Sequence, residues 1–216
     1  LAENPGVTVE VLQLVGQRLD LDITFIRQPW KRCLVSLQEG SADLLFTASY
    51  KEKRKKFGLY PMKNGEVDES RRITNTTYSF YVPKGTTIPW DGKTLGDLNG
   101  PVGAPAGYSI VEDLKKLGAK VDESPATLND FQKLNAGRLA AVAALEGAGD
   151  FELRKHPNLA TTIEKINPPI KTKAYYVMIS HQFNAKNPEL AQKIWNEIAK
   201  IRDSKEMPAI MDKYYK

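Results

Sequence analysis

PWKRCLVSLQEGSADLLFTASYKEKR, residues 29–54, is the stretch whose reading decides the fold class. Pro29 suits the first turn of a helix, where its missing N–H would be unbonded anyway, and Gly40 suits the end, where a left-handed residue closes the last turn. Between them Trp30, Cys33, Leu34 and Leu37 recur at helical spacing and share one face. Ala42 to Ala48 is short, compact and apolar, which predicts a buried strand. Upstream, Val7, Val11, Leu14, Val15 and Leu19 predict an amphipathic helix, and Ile23-Thr-Phe-Ile26 a short strand. Helix, strand, helix, strand is the rhythm of a parallel sheet with crossover helices, so the chain reads as α/β.

The rhythm breaks at residues 61–72, a polar Gly-containing loop, and resumes with the strand Tyr78 to Val82, ended by Pro83. Pro101 to Ala106 predicts a strand, Ile110 to Leu117 and Leu128 to Asn135 two helices, and Leu139 to Leu145 a buried strand whose alanines would equally suit a helix. Tyr175 to Ile179 is a further strand. Asn187-Pro-Glu opens a long amphipathic helix through Ile194, Trp195, Ile198 and Ile201. There is no internal repeat and no low-complexity tract.

A chain of 216 residues is one large domain or two small ones, and 41% hydrophobic against 26% charged residues is ordinary globular composition. No apolar run approaches the ~18 residues of a membrane span. The opening Leu1-Ala2-Glu3-Asn4-Pro5 lacks the basic start and apolar stretch of a signal peptide, so an exported protein is expected here in mature or trimmed form. Net charge is a mild +5. Its one dense basic run, Lys51 to Lys56, has neither interleaved stacking aromatics nor a recognition helix; most of it reads as a solvated face, and no nucleic-acid partner is expected. A single cysteine excludes an internal disulfide, and Cys33 reads as a buried inert thiol. Two distant histidines, His156 and His181, exclude most metal sites, so neither metal nor cofactor is expected. Gly100 to Gly107 lacks the Lys-Ser/Thr of a phosphate-binding loop and is not a dinucleotide fingerprint.

Gly40, Ala42-Asp43, the apolar Leu44 to Phe46, Ser49, Arg54, Phe57 and Tyr60-Pro61 follow one another in an order that resembles the first lobe of extracellular solute-binding proteins of family 3, the amino-acid-type receptors of bacterial ABC importers. Gly103-Ala-Pro-Ala-Gly-Tyr-Ser109 resembles that family's second-lobe strand-to-helix turn, and Phe131 to Arg138 the helix and turn before its central strand. The likeness runs from about Gly6 to the C-terminal helices. It implies a type II periplasmic-binding-protein fold with two α/β lobes, 1–79 with 180–216 and 80–179. Two crossover strands would join them near 78–83 and 173–180, with the C-terminal helices packed on lobe one. It also implies a periplasmic monomer that captures a small, amino-acid-like, carboxylate-bearing solute by hinge closure and hands it to an ABC transporter permease, without catalysis. The family's first strand, which normally precedes a segment like Pro5-Gly6-Val7, is not in the sequence.

By that resemblance Arg54 grips the ligand carboxylate, Ser49 adds a hydroxyl and Thr47 assists; a guanidinium fork suits a carboxylate because it donates two parallel bonds. Tyr108 and Ser109 lie at a helix start. Ser109-Ile-Val-Glu112 fits a capping box, and the same geometry would offer amides to an anion. Trp30 fits either a ligand stack or the lobe core, the commoner role for aromatics at helix starts. Tyr78 and Tyr81 lie where they could reach the cleft. The slot usually held by the Asp that pairs the α-ammonium falls at Leu145, with Glu146 next. Strand neighbours face opposite ways, so Glu146 substitutes only after a slip or bulge; otherwise the ligand lacks an α-ammonium. Two other classes stay open: the ligand-sensing domain of a membrane receptor, and a dehydratase-like enzyme on the same fold, for which Glu146 is the visible candidate acid or base.

Overall fold

The computed structural model describes residues 5–215, the side chain of residue 215 excepted; residues 1–4 and 216, the ends of the expected first lobe, lie outside the described residues. The chain divides into two compact units, Leu1–Asn75 with Ala174–Lys216, and Thr76–Lys173. Two strands carry the chain between units, β4 (Thr74–Pro83) outward and β9 (Lys171–Ile179) on return.

Unit 1 opens with α1 (Val7–Leu19) and α2 (Trp30–Glu39), the latter closed by Gly40 at φ 73° as its sequence predicts. In α1 the buried stripe is Val9, Val11, Leu12, Val15 and Gly16, rotated from the predicted face. The cause is that α1 packs against two later helices, α8 (Pro188–Arg202) and α9 (Glu206–Tyr215), rather than one surface. α2 sets Leu34 and Leu37 against Leu45, Ala48, Tyr60, Tyr176 and Met178, with Trp30 and Cys33 at the edge of that cluster. β1 (Leu44–Ser49) pairs antiparallel with β9. Trp195 of α8 donates from Nε1 to the Val177 carbonyl at 2.8 Å, fastening helix to strand, and Arg18 of α1 pairs with Glu197 of α8 at 2.7 Å.

Other expectations fail in unit 1, the parallel pairing among them, since β1 pairs antiparallel with β9. Ile23 to Ile26 is not a strand. Its period of two survives in burial, since Leu21, Ile23 and Phe25 are half-buried while Asp22, Thr24 and Ile26 are exposed. A strand, however, exists through a neighbour's backbone, and among the described residues none pairs with it. The loop at 61–72 contains a small hairpin, β2 (Met62–Lys63) and β3 (Glu66–Val67), turned by Asn64 and Gly65 at φ 52° and 84°. Asn-Gly is the pair best able to hold two successive positive φ angles.

In unit 2 the order β5 (Val102–Pro105), α3 (Ile110–Lys116), β6 (Val121–Ser124), α4 (Thr127–Asn135), β7 (Ala141–Leu145) makes two crossover units, with β5 parallel to both β6 and β7. β4 runs antiparallel to β7 and to β8 (Ile163–Lys165). The alanine-rich segment is therefore strand, flanked on both sides, and its small residues let α4 and α5 (Glu146–Lys155) approach the sheet. Tyr81, Phe131, Leu134, Leu139, Val142, Ala144, Leu159 and Ile163 form the core.

Candidate functional site

In unit 1, β1 ends at Ser49 and the chain turns at once into a short 3-10 helix, Glu52–Arg54. That turn folds the Arg54 side chain back onto the strand end. Its Nη1 donates to the Ser49 carbonyl at 2.9 Å and to Ser49 Oγ at 3.0 Å. Its Cζ lies 5.0 Å from the centre of the Trp30 ring, a cation–π distance. Arg54 is 5% exposed and Ser49 3%, so of the basic run this arginine is inside. Tyr60 also donates to the Ser49 carbonyl, at 2.9 Å, and burial pushes its phenol up to about 12, which keeps it a donor. Ser49 Oγ accepts from Arg54, so its own hydrogen is left to donate away from the guanidinium.

Thr47 stands at φ 60°, uncommon for any residue with a Cβ and strained for a β-branched one. The strain has a visible product. Leu45 pairs with Met178 but Ala48 pairs with Tyr176, so Phe46 and Thr47 together oppose Val177. This bulge resets the direction of the last strand residues, Ser49 among them. Of the two roles weighed for Trp30 the structure describes the core one, since it packs at the edge of the core cluster, and its ring also backs the Arg54 guanidinium.

In unit 2 the turn after β5 places Gly107 at φ 76°, with its N–H donating to Glu123 Oε2 at 2.9 Å and the Tyr108 N–H donating to the Pro105 carbonyl at 3.1 Å. The expected capping box is not formed. Ser109 sits at φ −64°, ψ −21°, already helical, and its side chain caps nothing. A capping oxygen reaches back to the first amides from an extended residue, not a helical one. Instead Ser109 Oγ accepts from Lys173 Nζ at 2.9 Å. Lys173 also pairs with Asp113, on the first turn of α3, and lies 5.4 Å above the centre of the Tyr78 ring.

Glu146 is the first residue of α5, because β7 stops at Leu145 opposite Tyr78. The alternation that would set Glu146 against Leu145 therefore ends before it applies. Glu146 Oε1 accepts from Ser79 Oγ at 2.7 Å. Tyr81, fully buried, donates to Asp150 Oδ1 at 2.7 Å. Sequence reasoning missed Lys173, Tyr60 and Ser79 as partners. Lys173 reads locally as a solvent-facing strand residue, and Asp113 lies 60 positions away. Burial pushes the Cys33 thiol up, so it stays protonated. Among the described residues, no group of three or more His, Cys, Asp or Glu is placed to hold a metal ion.

A family model for bacterial extracellular solute-binding proteins, family 3, matches residues 2–216. The chain belongs to that family. Solved structures carry the same fold. An ancestral arginine-binding protein bound to arginine superposes with a TM-score of 0.79 at 21% identity, over 98% of this chain and 88% of that one. The GluR0 ligand-binding core from Nostoc punctiforme in complex with L-glutamate gives 0.76 at 14%, over 100% and 93%. A histidine kinase sensor domain with similarity to periplasmic binding proteins gives 0.77 at 16%, over 97% and 86%. No curated protein matches the sequence. The α/β, periplasmic-binding-protein-like class read from the sequence is thus the observed one, and the family is a solute-binding rather than a catalytic one. No described helix is long and apolar enough to cross a membrane.

Proposed function

We propose that this family member captures a small amino-acid-like solute through its carboxylate, outside the cytoplasm and as a monomer, and delivers it to the permease of an ABC transporter without altering it. The observation that carries the reading is Arg54: a guanidinium at 5% exposure, its Nη1 fixed by Ser49 and its face backed by Trp30. Holding an arginine this still removes the entropy that a flexible side chain would lose on binding, and burial strengthens each bond to a carboxylate to about 1.5–3 kcal/mol. Ser49 supplies a hydroxyl donor beside it and Thr47 sets the strand end that aims both. Tyr108, Ser109 and Glu146 of unit 2 enter as further ligand contacts, with Glu146, set by Ser79, as the carboxylate for an ammonium group. No chemistry on the solute is required, and Glu146 as a general acid is the arm that product analysis tests.

The test is a thermal-shift screen of the protein and its Arg54→Ala variant against the common amino acids, polyamines and small carboxylates. A ligand present at a hundredfold excess over its Kd stabilises the folded form by about 2.7 kcal/mol. Shifts with carboxylate-bearing amino acids that vanish in Arg54→Ala support the reading; shifts that persist in the variant, or a flat response to the whole panel, overturn it.

A second reading, a receptor's ligand-sensing domain, is favoured by the likeness to a histidine kinase sensor domain and to the GluR0 core. The two part on the partner: co-purification of the full-length gene product with a permease supports transport, and its continuation into its own membrane span supports sensing.

A further inference from the structure

Asp130 lies on α4 at a position the helix gives to its core face, in the buried series Thr127, Asp130, Phe131, Leu134. It is 0% exposed, and neither carboxyl oxygen has a hydrogen-bond partner. Ser124 Oγ of β6 lies beside it, equally buried, without a hydrogen bond of ordinary geometry. On the other side the carboxyl rests on the backbone of β5: a Cβ placed on Gly103 would stand 3.1 Å from Asp130 Oδ1. An ionised carboxylate sealed in this way would be uncompensated, and such a group takes up a proton instead.

The surrounding charges do not change this. Asp122 of β6 and Lys133 of α4 act on it with opposite sign and are joined to each other at 2.7 Å. Glu123, also on β6, accepts from the Gly107 amide. β5 and β7 carry no ionisable side chain. On α5, Glu146 is bonded to Ser79, Asp150 to Tyr81 and Lys165, and Glu152 pairs with His156, while Arg154 and Lys155 are exposed. α6 (Pro157–Ala160), which also packs on α4, adds none.

We propose that Asp130 is a proton-binding site of unit 2, a neutral acid sealed between α4 and the β5–β6 pair, so that this unit takes up a proton as the solution turns mildly acidic. The site is independent of solute capture, yet β5 leads directly into the Ala106–Ser109 turn. Burial raises this carboxyl to about 6, while every other described carboxyl with a resolved shift is lowered. A folded-state value above the unfolded one means that Asp130 stabilises most below the unfolded value, and that this contribution is lost as pH rises through the folded value. The interval from pH 5 to 7 therefore isolates Asp130 from the other shifted carboxylates.

The experiment is carboxyl-carbon NMR of the full chain labelled at aspartate and assigned by through-bond correlation, together with urea unfolding of the protein and Asp130→Asn across pH 4 to 7. The expected result is an Asp130 midpoint near 6, and an unfolding constant that rises roughly fiftyfold over that range from this group alone, a rise absent in Asp130→Asn. The slope is the readout, not the level of stability, because the amide also changes local bonding. An Asp130 midpoint in the ordinary range near ~4, or equal slopes in both proteins, overturns the proposal. Where Asp130→Asn fails to fold, the NMR titration of the unaltered protein decides alone.

Discussion

Gly149→Ala should destabilise unit 2, although the same change in an exposed helix would stabilise it. Gly149 lies inside α5, where alanine is ordinarily worth about 1 kcal/mol over glycine. Here a Cβ would stand 2.4 Å from Tyr81 Cζ and 2.8 Å from Cε2, far inside the ~3.5–4.0 Å at which carbon atoms meet. The ring cannot swing aside freely. It is fully buried, packs 5.1 Å from Phe131 between centroids and donates to Asp150. Either the ring moves and strains the Asp150 bond, or α5 lifts and draws Glu146 from Ser79. Overpacking costs about 1–3 kcal/mol and a compromised hydrogen bond roughly 0.5–1.5 kcal/mol; after the helix gain, a net loss of about 1–3 kcal/mol remains. Urea unfolding of Gly149→Ala, with Tyr81→Leu and the double variant, measures this as a cycle. The penalty should shrink or reverse once the ring is gone. A Gly149→Ala protein as stable as its parent, or a penalty undiminished in the Tyr81→Leu background, would refute the reasoning.

Arg54→Lys keeps the charge but loses the fork; one lost charge-assisted bond of about 1.5–3 kcal/mol should weaken binding of a responsive amino acid roughly tenfold or more by calorimetry. Trp195→Phe removes the 2.8 Å bond to the Val177 carbonyl inside unit 1 and should cost about 1–3 kcal/mol in urea unfolding. Thr47→Gly relieves a positive φ worth about 1–3 kcal/mol against an entropic cost of about 0.5–1 kcal/mol, so stability should hold or rise while the bulge is kept. Bonds from Arg18 hold the Glu197 carboxyl below its usual range, and bonds from Lys213 and Tyr214 do the same for Glu10. Both therefore stabilise above the unfolded carboxylate value of about 4.3, and lose that effect as pH falls through their lower folded values. Glu197→Gln should flatten the acid limb of a stability–pH curve below pH 4.5 and leave the limb above it unchanged.

What the sequence made legible was local. Pro29, Gly40 and the spacing of Leu34 and Leu37 fix α2 because each acts within a turn or two of itself. The Asn64-Gly65 hairpin is equally local, its turn signal lying inside a polar stretch that otherwise reads as a loop. Ile23 to Ile26 marks the limit. Alternation states which side chains turn inward, and the structure keeps that alternation, but it does not provide the neighbouring backbone that makes a strand. The rotated face of α1 has the same origin, since its buried stripe is set by α8 and α9, far along the chain.

The site divides along the same line. Arg54 is singled out by the resemblance, and its observed partner is local: Ser49 lies five residues away, at the end of the strand Arg54 follows, and a 3-10 turn closes that distance. The capping alternative for Ser109 fails because a capping box is a local pattern and the competing partner is distant: Lys173 arrives from the returning strand and takes the hydroxyl. Local signals thus propose which polar groups matter, and long-range pairing decides what each is bonded to. Glu146 shows the consequence for ligand class. Its candidacy turned on strand register, yet the helix that begins at that residue removes the register question and replaces it with another, the bond to Ser79. Ser79→Ala frees Glu146 from that bond without touching its charge. If Glu146 receives an ammonium group, the change should weaken α-amino acids more than the matching carboxylates that lack one, and an equal loss for both would place the ammonium elsewhere.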